Sequence, residues 1–305
     1  MISAKQYSAL AGRHLLLAAL IFLLLATAHA ETAITDDAGR RVVLPRPALR
    51  IVSLAPHITE LLFAAGAGGK VVGAVDFSNY PEAARKLPRI GSHAAFDLER
   101  IAALKPDLAI VWGSGNPPGQ VAQLHRLGIP VFVSEPRRLE DIAASLRQVG
   151  MLAGMQAEPA ALAFTQRLAS LRARYANAAP VNVFYEIWNQ PLMTIGGGHV
   201  ISHAITACGG RNAFAALTQP AANVELEAVL RANPDAIVAS GMDQERPEWL
   251  DDWRRWPQLK AVRQGNLFFI PPDLMQRHTP RILDGVEQLC AALDVARQRG
   301  THLGK

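Results

Sequence analysis

Only two cysteines and 6% aromatic side chains occur among the 305 residues. So few cysteines exclude a small module stapled by disulfides, and no cysteine-pair zinc pattern is present. Charge is also sparse: Asp, Glu, Lys and Arg make up 19% of the chain against 50% hydrophobic residues, a balance that excludes disorder and supplies a large core. The 31 basic and 26 acidic residues leave a formal charge of +5, with Lys5 and Arg13 in the first turns of sequence. No basic run interleaved with aromatics is present, which excludes the usual nucleic-acid surface. The signatures Gly-x-Ser-x-Gly, Gly-x-Gly-x-x-Gly and His-Glu-x-x-His are missing, and Gly66 to Lys70 lacks the leading glycine and trailing hydroxyl of a phosphate loop. Beyond Thr27 no apolar run approaches the roughly 20 residues of a spanning helix.

What is present begins with an export signal. Lys5 and Arg13 precede an apolar stretch from Leu15 to Thr27, and Ala28-His29-Ala30 supplies a small-x-small cleavage site. Cleavage there predicts a mature chain starting at Glu31; the alternative, an uncleaved anchor, would rest on a short apolar run. No cysteine lies near the site to accept a lipid. An oxidising destination predicts a bridge between Cys208 and Cys290, the alternative being two buried thiols.

The fold class read from the pattern is α/β. After a hairpin-like stretch from Ala33 to Pro45, compact apolar runs (51–54, 71–75, 108–112, 131–133) alternate with helical spacing (59–65, 98–104, 120–127, 139–152), as in a parallel sheet covered by helices. Residues 157–176 are rich in Ala, Leu and Arg without an internal glycine and predict one long helix. Alternation then resumes at Val181. Four segments follow: a signal peptide over 1–30, an N-terminal lobe over 31–155, a connecting helix over 156–178 and a C-terminal lobe over 179–305, two three-layer lobes with parallel-type sheets.

Several residues stand out for chemistry. Leu98-Glu99 followed by Pro106-Asp107 is echoed by Leu226-Glu227 followed by Pro234-Asp235, which nominates Glu99 and Glu227 as matching first-turn acids, one per lobe. His199 and His203, four apart on a predicted helix, could form half a metal site, or simply pack. Gly196-Gly197-Gly198 would admit a ligand to a helix start, or make a tight turn. Trp249, Trp253 and Trp256 fall on one helical stripe, the pattern of core packing. Trp112 ends a predicted parallel strand, where open α/β sheets bind ligands, and Asp273, Arg277 and His278 follow another strand in the same way.

Four stretches carry a family resemblance: Arg50 to Gly66 (RIVSLAPHITELLFAAG), Phe96 to Trp112 (FDLERIAALKPDLAIVW), Cys208 to Asn212 and His278 to Ile282. They resemble the class III periplasmic substrate-binding proteins of ABC importers, whose two lobes are joined by a rigid helix. The cobalamin-binding branch is the most similar, from about Arg50 to about Ala296. The resemblance implies a monomeric receptor with no catalytic cofactor, whose transported ligand is cobalamin or a related corrinoid. It implies a bridge between Cys208 and Cys290, and docking of Glu99 and Glu227 on the two copies of a permease. Ligand contacts are implied for Trp112 and for the loop Asp273, Leu274, Met275, Gln276 and Arg277. The chain departs from that branch at Phe77 for a tyrosine, His93 and Ala221 for tryptophans and Met193 for a phenylalanine, giving a less aromatic cleft. Met193 can pack on a corrin face, and the His93 imidazole could ligate cobalt or haem iron. Haem and iron–siderophore binding are the alternatives within the superfamily; an exported metal-dependent hydrolase using His199 and His203 is the alternative outside it.

Overall fold

The computed structural model describes residues 31–241 and 245–302; the expected export signal lies outside them. The chain enters through an antiparallel ribbon, β1 (Thr32–Thr35) with β2 (Arg41–Leu44). Asp36 makes its turn by accepting the backbone N–H of Ala38 and Arg40 at 3.1 and 2.7 Å.

The N-terminal sheet has four parallel strands, β3 (Ile51–Ser53), β4 (Val71–Ala74), β5 (Leu108–Trp112) and β6 (Val131–Ser134), in the order β4-β3-β5-β6. Successive side chains point to opposite faces. Ile51, Leu108, Ile110 and Phe132 enter one buried cluster, whereas Val52, Ala109, Val111, Val131 and Val133 enter another. That double burial is why these strands read as unbroken apolar runs. The helices that cover them are α1 (Pro56–Ala64), α2 (Leu98–Ala103), α3 (Pro118–Arg126) and α4 (Leu139–Ala153).

The long helix α5 runs over Glu158–Tyr175, with Pro159 in its first turn, where a missing N–H does no harm. It buries Ala161, Phe164, Leu168 and Leu171 in the same cluster that holds Ile51 of the first sheet and Val183 of the second. The three larger side chains contribute about 2 kcal/mol each by burial. One continuous core therefore passes through both lobes and the helix between them, which resists hinge motion.

The second lobe contains β7 (Val181–Asn189), β8 (Leu192–Ile195), α6 (Val200–Ala207), β9 (Gly210–Asn212), β10 (Ala221–Asn223), α7 (Leu226–Ala232), β11 (Ala236–Ala239), α8 (Lys260–Arg263), β12 (Leu267–Phe269), α9 (Pro272–Met275) and α10 (Ile282–His302). Here the sheet is mixed where the sequence pattern read only parallel strands. β9, β11 and β12 join it in parallel, but β8 folds back on β7 and β10 on β8 antiparallel. A hairpin needs only the short Gln190-Pro191 connection, and strands of three or four residues carry too little alternation to be recognised.

The Trp249, Trp253 and Trp256 stripe lies on and just after a 3-10 helix, Glu248–Arg255, and packs with Phe184 and Leu250 on the outer face of this sheet. Cys208, after α6, is bonded to Cys290 in α10, closing a separation of 82 residues. Arg167 of α5 pairs with Asp284 and Glu287 of α10 at 2.7 and 2.8 Å. Among the described residues no helix is long and apolar enough to cross a membrane.

Candidate functional site

The segments that follow β3, β4 and β5 in the first sheet and β12 in the second meet at the junction of the lobes. The loop after β12 carries Arg277 across it. Arg277 Nη1 donates to Glu60 of α1 and to Asn79, both at 2.7 Å, and Nη2 donates to the Phe77 carbonyl at 3.1 Å. Asp273 pairs with the same guanidinium at 2.7 Å. Thr279 donates to the second oxygen of Glu60 at 3.0 Å, and Arg281 approaches Glu60 at 3.2 Å while stacking over Tyr80. Burial pushes the Glu60 carboxyl up and the two guanidiniums pull it back.

The network shapes the rim. Phe77 follows β4 and holds a left-handed backbone, φ 62°, a conformation a bulky side chain adopts only when its surroundings impose it. The imposing contacts are Arg277 on its carbonyl and, beneath the loop, a buried chain of hydroxyls from Ser53 through Thr59 to Ser78 at 2.8 and 3.0 Å. The outcome is a phenyl ring 73% exposed at the lobe junction.

A row of rings lies beside it. His93 stands 6.0 Å from Trp112, Trp112 is 5.3 Å from His57, His57 is 5.7 Å from His278 and His278 is 6.0 Å from His199, centroid to centroid. The row crosses from the N-terminal lobe to the C-terminal one. Burial holds the inner imidazoles neutral: His57 is lowered to about 3, helped by Arg277, and His199 to about 4, while His278 is lowered well below its ordinary value. Neutral rings fit an apolar face; charged ones would repel each other and Arg277.

The sequence-nominated residues divide into several groups. His93 is exposed at the rim, Met193 is half-buried on β8 opposite Trp188, and Ala221 is exposed on β10. Trp112 is half-buried, lying so close over Gly115 that a Cβ there would come within 1.8 Å of the indole. Asp273, Leu274 and Gln276 are half-buried on or just after α9, and Gln276 donates to the Gly241 carbonyl at 3.1 Å.

Met275 is a correction to the implied contact set. Its side chain is fully buried in the main cluster, because it faces α10 rather than the junction. His199 precedes α6 rather than lying within it: it caps the helix, its Nδ1 accepting the Ile201 N–H at 3.1 Å, so that nitrogen is already engaged by the backbone. Among the described residues no group of three or more His, Cys, Asp or Glu could hold a metal ion. Gly196 and Gly197 answer a packing need, since a Cβ on either would meet the carbonyls of residues 215–219 at 2.2–2.5 Å.

The internal echo has a geometric meaning. Lys105 and Asn233 both adopt left-handed backbone, φ 45° and 41°, ending α2 and α7. Asp107 then accepts the N–H of Arg50 at 2.8 Å, and Asp235 that of Asn182 at 2.9 Å, tying each helix to the first strand of its sheet. Glu99 and Glu227 are thereby placed alike, exposed in the first turn of their helices.

Two further residues, unmarked by any sequence motif, belong to the site. Glu60 is an acid among Ile58, Leu61 and Leu62 on an apolar helix, a signal that was there to read. Asn116 is buried and joins three loops: Nδ2 donates to the Leu54 and His93 carbonyls at 2.9 and 2.8 Å, and Oδ1 accepts the Trp112 N–H at 2.7 Å.

Comparison with known proteins agrees with this architecture. The periplasmic binding protein family model matches residues 51–274. The vitamin B12-binding protein of Vibrio cholerae is 38% identical over 258 residues, covering 84% of this chain and 92% of the relative. Its Yersinia pestis counterpart is 38% identical over 243 residues, covering 79% and 85%. Among solved structures, the periplasmic vitamin B12 binding protein BtuF of Vibrio cholerae superposes with a TM-score of 0.75 at 38% identity, over 82% of this chain and 98% of that one. A periplasmic heme-binding protein of Pseudomonas aeruginosa gives 0.70 at 25% identity, over 80% and 92%. With its two α/β lobes on one helical spine and a family match across both, this chain belongs to the periplasmic binding proteins.

Proposed function

We propose that this protein captures cobalamin or a related corrinoid in the periplasm and delivers it, chemically unaltered, to an ABC importer. The observation that carries the reading is Phe77: an apolar ring 73% exposed, held in a left-handed backbone by an arginine from the other lobe. Such a ring, fixed at the lobe junction, offers apolar surface that a ligand can cover. A broad, flat macrocycle fits the setting, since it can lie against Phe77, Met193 and the open part of Trp112 while its polar periphery meets His93, Asp273 and Gln276. Arg277 keeps its partners and shapes the rim from below. The names of the Vibrio and Yersinia relatives support the ligand class.

The continuous core through α5 supports a largely preformed cleft, in which little ordering is needed on binding. Residues 1–30 act as a cleaved export signal, and the lobes span 31–155 and 179–305 about a connector over 156–178. The protein acts as a monomer and catalyses no reaction. Glu99 and Glu227, placed alike on the two lobes, dock onto the two halves of a permease dimer; their matched geometry supports pairing with a twofold partner.

Haem is the second reading, favoured by the exposed His93 imidazole beside Trp112. Titration of the purified protein with cyanocobalamin, cobinamide and haem, followed by absorbance and calorimetry, separates the two. Saturable corrinoid binding at micromolar affinity or tighter is expected; a clear preference for haem overturns the proposal.

A further inference from the structure

The C-terminal lobe holds another cavity, of about 560 Å3, bounded by Glu186 of β7, the β7–β8 hairpin, the start of α7 and the tryptophan-bearing 3-10 helix. None of the residues assigned to the corrinoid lines it. Trp249, Trp253 and Trp256 supply indole to its wall, and Asp252, Arg255 and Glu225 supply charge. Arg255 is committed to Asp252 at 3.0 Å.

Glu186 is the unusual member. It is 2% exposed, and Trp253 Nε1 donates to its Oε2 at 2.7 Å. Among the described residues no Lys, Arg or His pairs with it. A carboxylate accepts at about four lone-pair sites and is strongly penalised when buried without a counter-charge. A neutral indole N–H meets one of those sites. The charge that acts on it is Asp252, of the wrong sign. Below about pH 8 a proton completes the group, whereas its ionised form calls for a cation, and indole faces attract cations through their quadrupole.

We infer that this cavity binds a small organic cation, an alkylammonium group held against the indoles with the Glu186 carboxylate as its counter-ion. A trimethylammonium head suits the wall better than a bare ammonium, because its methyl groups lose little on leaving water. The volume leaves room for a substituent beyond the head.

The titration of Glu186 gives the inference a signature. Burial is the main cause that pushes its carboxyl up to about 8, with the Trp253 bond opposing and Asp252 adding to the rise. The cation binds the ionised form, so affinity increases about tenfold per pH unit below 8 and levels off above it.

Choline is the probe, with 3,3-dimethyl-1-butanol as its uncharged isostere, titrated into the full mature protein and read by tryptophan fluorescence and calorimetry at constant ionic strength. Saturable choline binding is expected, about tenfold tighter at pH 7.5 than at 6.5, with the isostere at least tenfold weaker at pH 8.5. Glu186→Gln retains an oxygen for Trp253 and removes both the pH dependence and at least tenfold of the affinity. Absence of saturable binding, equal binding of the isostere, or a wild-type affinity that ignores pH overturns the inference. The last two readouts need no variant, so a folding defect in Glu186→Gln leaves the test intact.

Discussion

Arg277 and Glu60, 217 positions apart in the chain, meet at 2.7 Å across the junction of the lobes, with side-chain exposures of 10% and 2%. Removing one member of such a pair leaves the other buried without its charge partner. Glu60→Ala is expected to destabilise the protein by about 3 kcal/mol, the lower end for broken buried pairs because Asp273 still faces Arg277. Urea denaturation checks this; an unchanged midpoint would show the network to be incidental.

Phe77 separates binding from stability. Its ring makes little contact with the protein, so Phe77→Ala should alter unfolding free energy by less than about 0.5 kcal/mol, as exposed substitutions do. Corrinoid affinity should fall about tenfold or more, because the covered apolar area is lost. Calorimetry on the variant measures both quantities.

Stability should decline on both sides of mildly acidic pH. His57 and His199 have folded values lowered to about 3 and 4, and His278 is lowered as well. Below pH 6.5 the unfolded chain therefore binds protons that the folded one refuses, and stability is lost as pH falls, by up to about 1.4 kcal/mol per unit for each group. Glu186 acts oppositely. Its folded value of about 8 against 4.5 unfolded means that stability is lost as pH rises between these values. Urea midpoints at pH 5, 6.5 and 8 test this, and Glu186→Gln should flatten the alkaline side and steepen the rise between pH 5 and 6.5.

Glu99→Ala with Glu227→Ala should abolish most corrinoid uptake by cells while leaving affinity in solution within about twofold, since both acids are exposed and neither belongs to the ring row or the Arg277 network. Either single variant should retain partial uptake. Full uptake by the double variant would remove these acids from the docking surface.

Reduction of Cys208–Cys290 opens an 82-residue separation and should lower stability by about 4 kcal/mol on the chain-entropy account. Cys208→Ala with Cys290→Ala, compared in urea, measures it without a reductant.

Local pattern determined much of this molecule. Runs buried on both faces announced the central strands, the glycine-free Ala, Leu and Arg stretch announced α5, and the echo of Glu99 in Glu227 reported two equivalent helix starts. These features are legible because each depends on residues close in sequence, through strand alternation, helix periodicity or a cap. Tertiary structure decided the rest. It paired β8 and β10 antiparallel, sent Met275 into the core and His199 to a cap, and set Glu60 against Arg277 and Glu186 against Trp253. Those relationships join groups many residues apart, and whether a buried charge finds its partner depends on how the lobes pack, which no local period encodes.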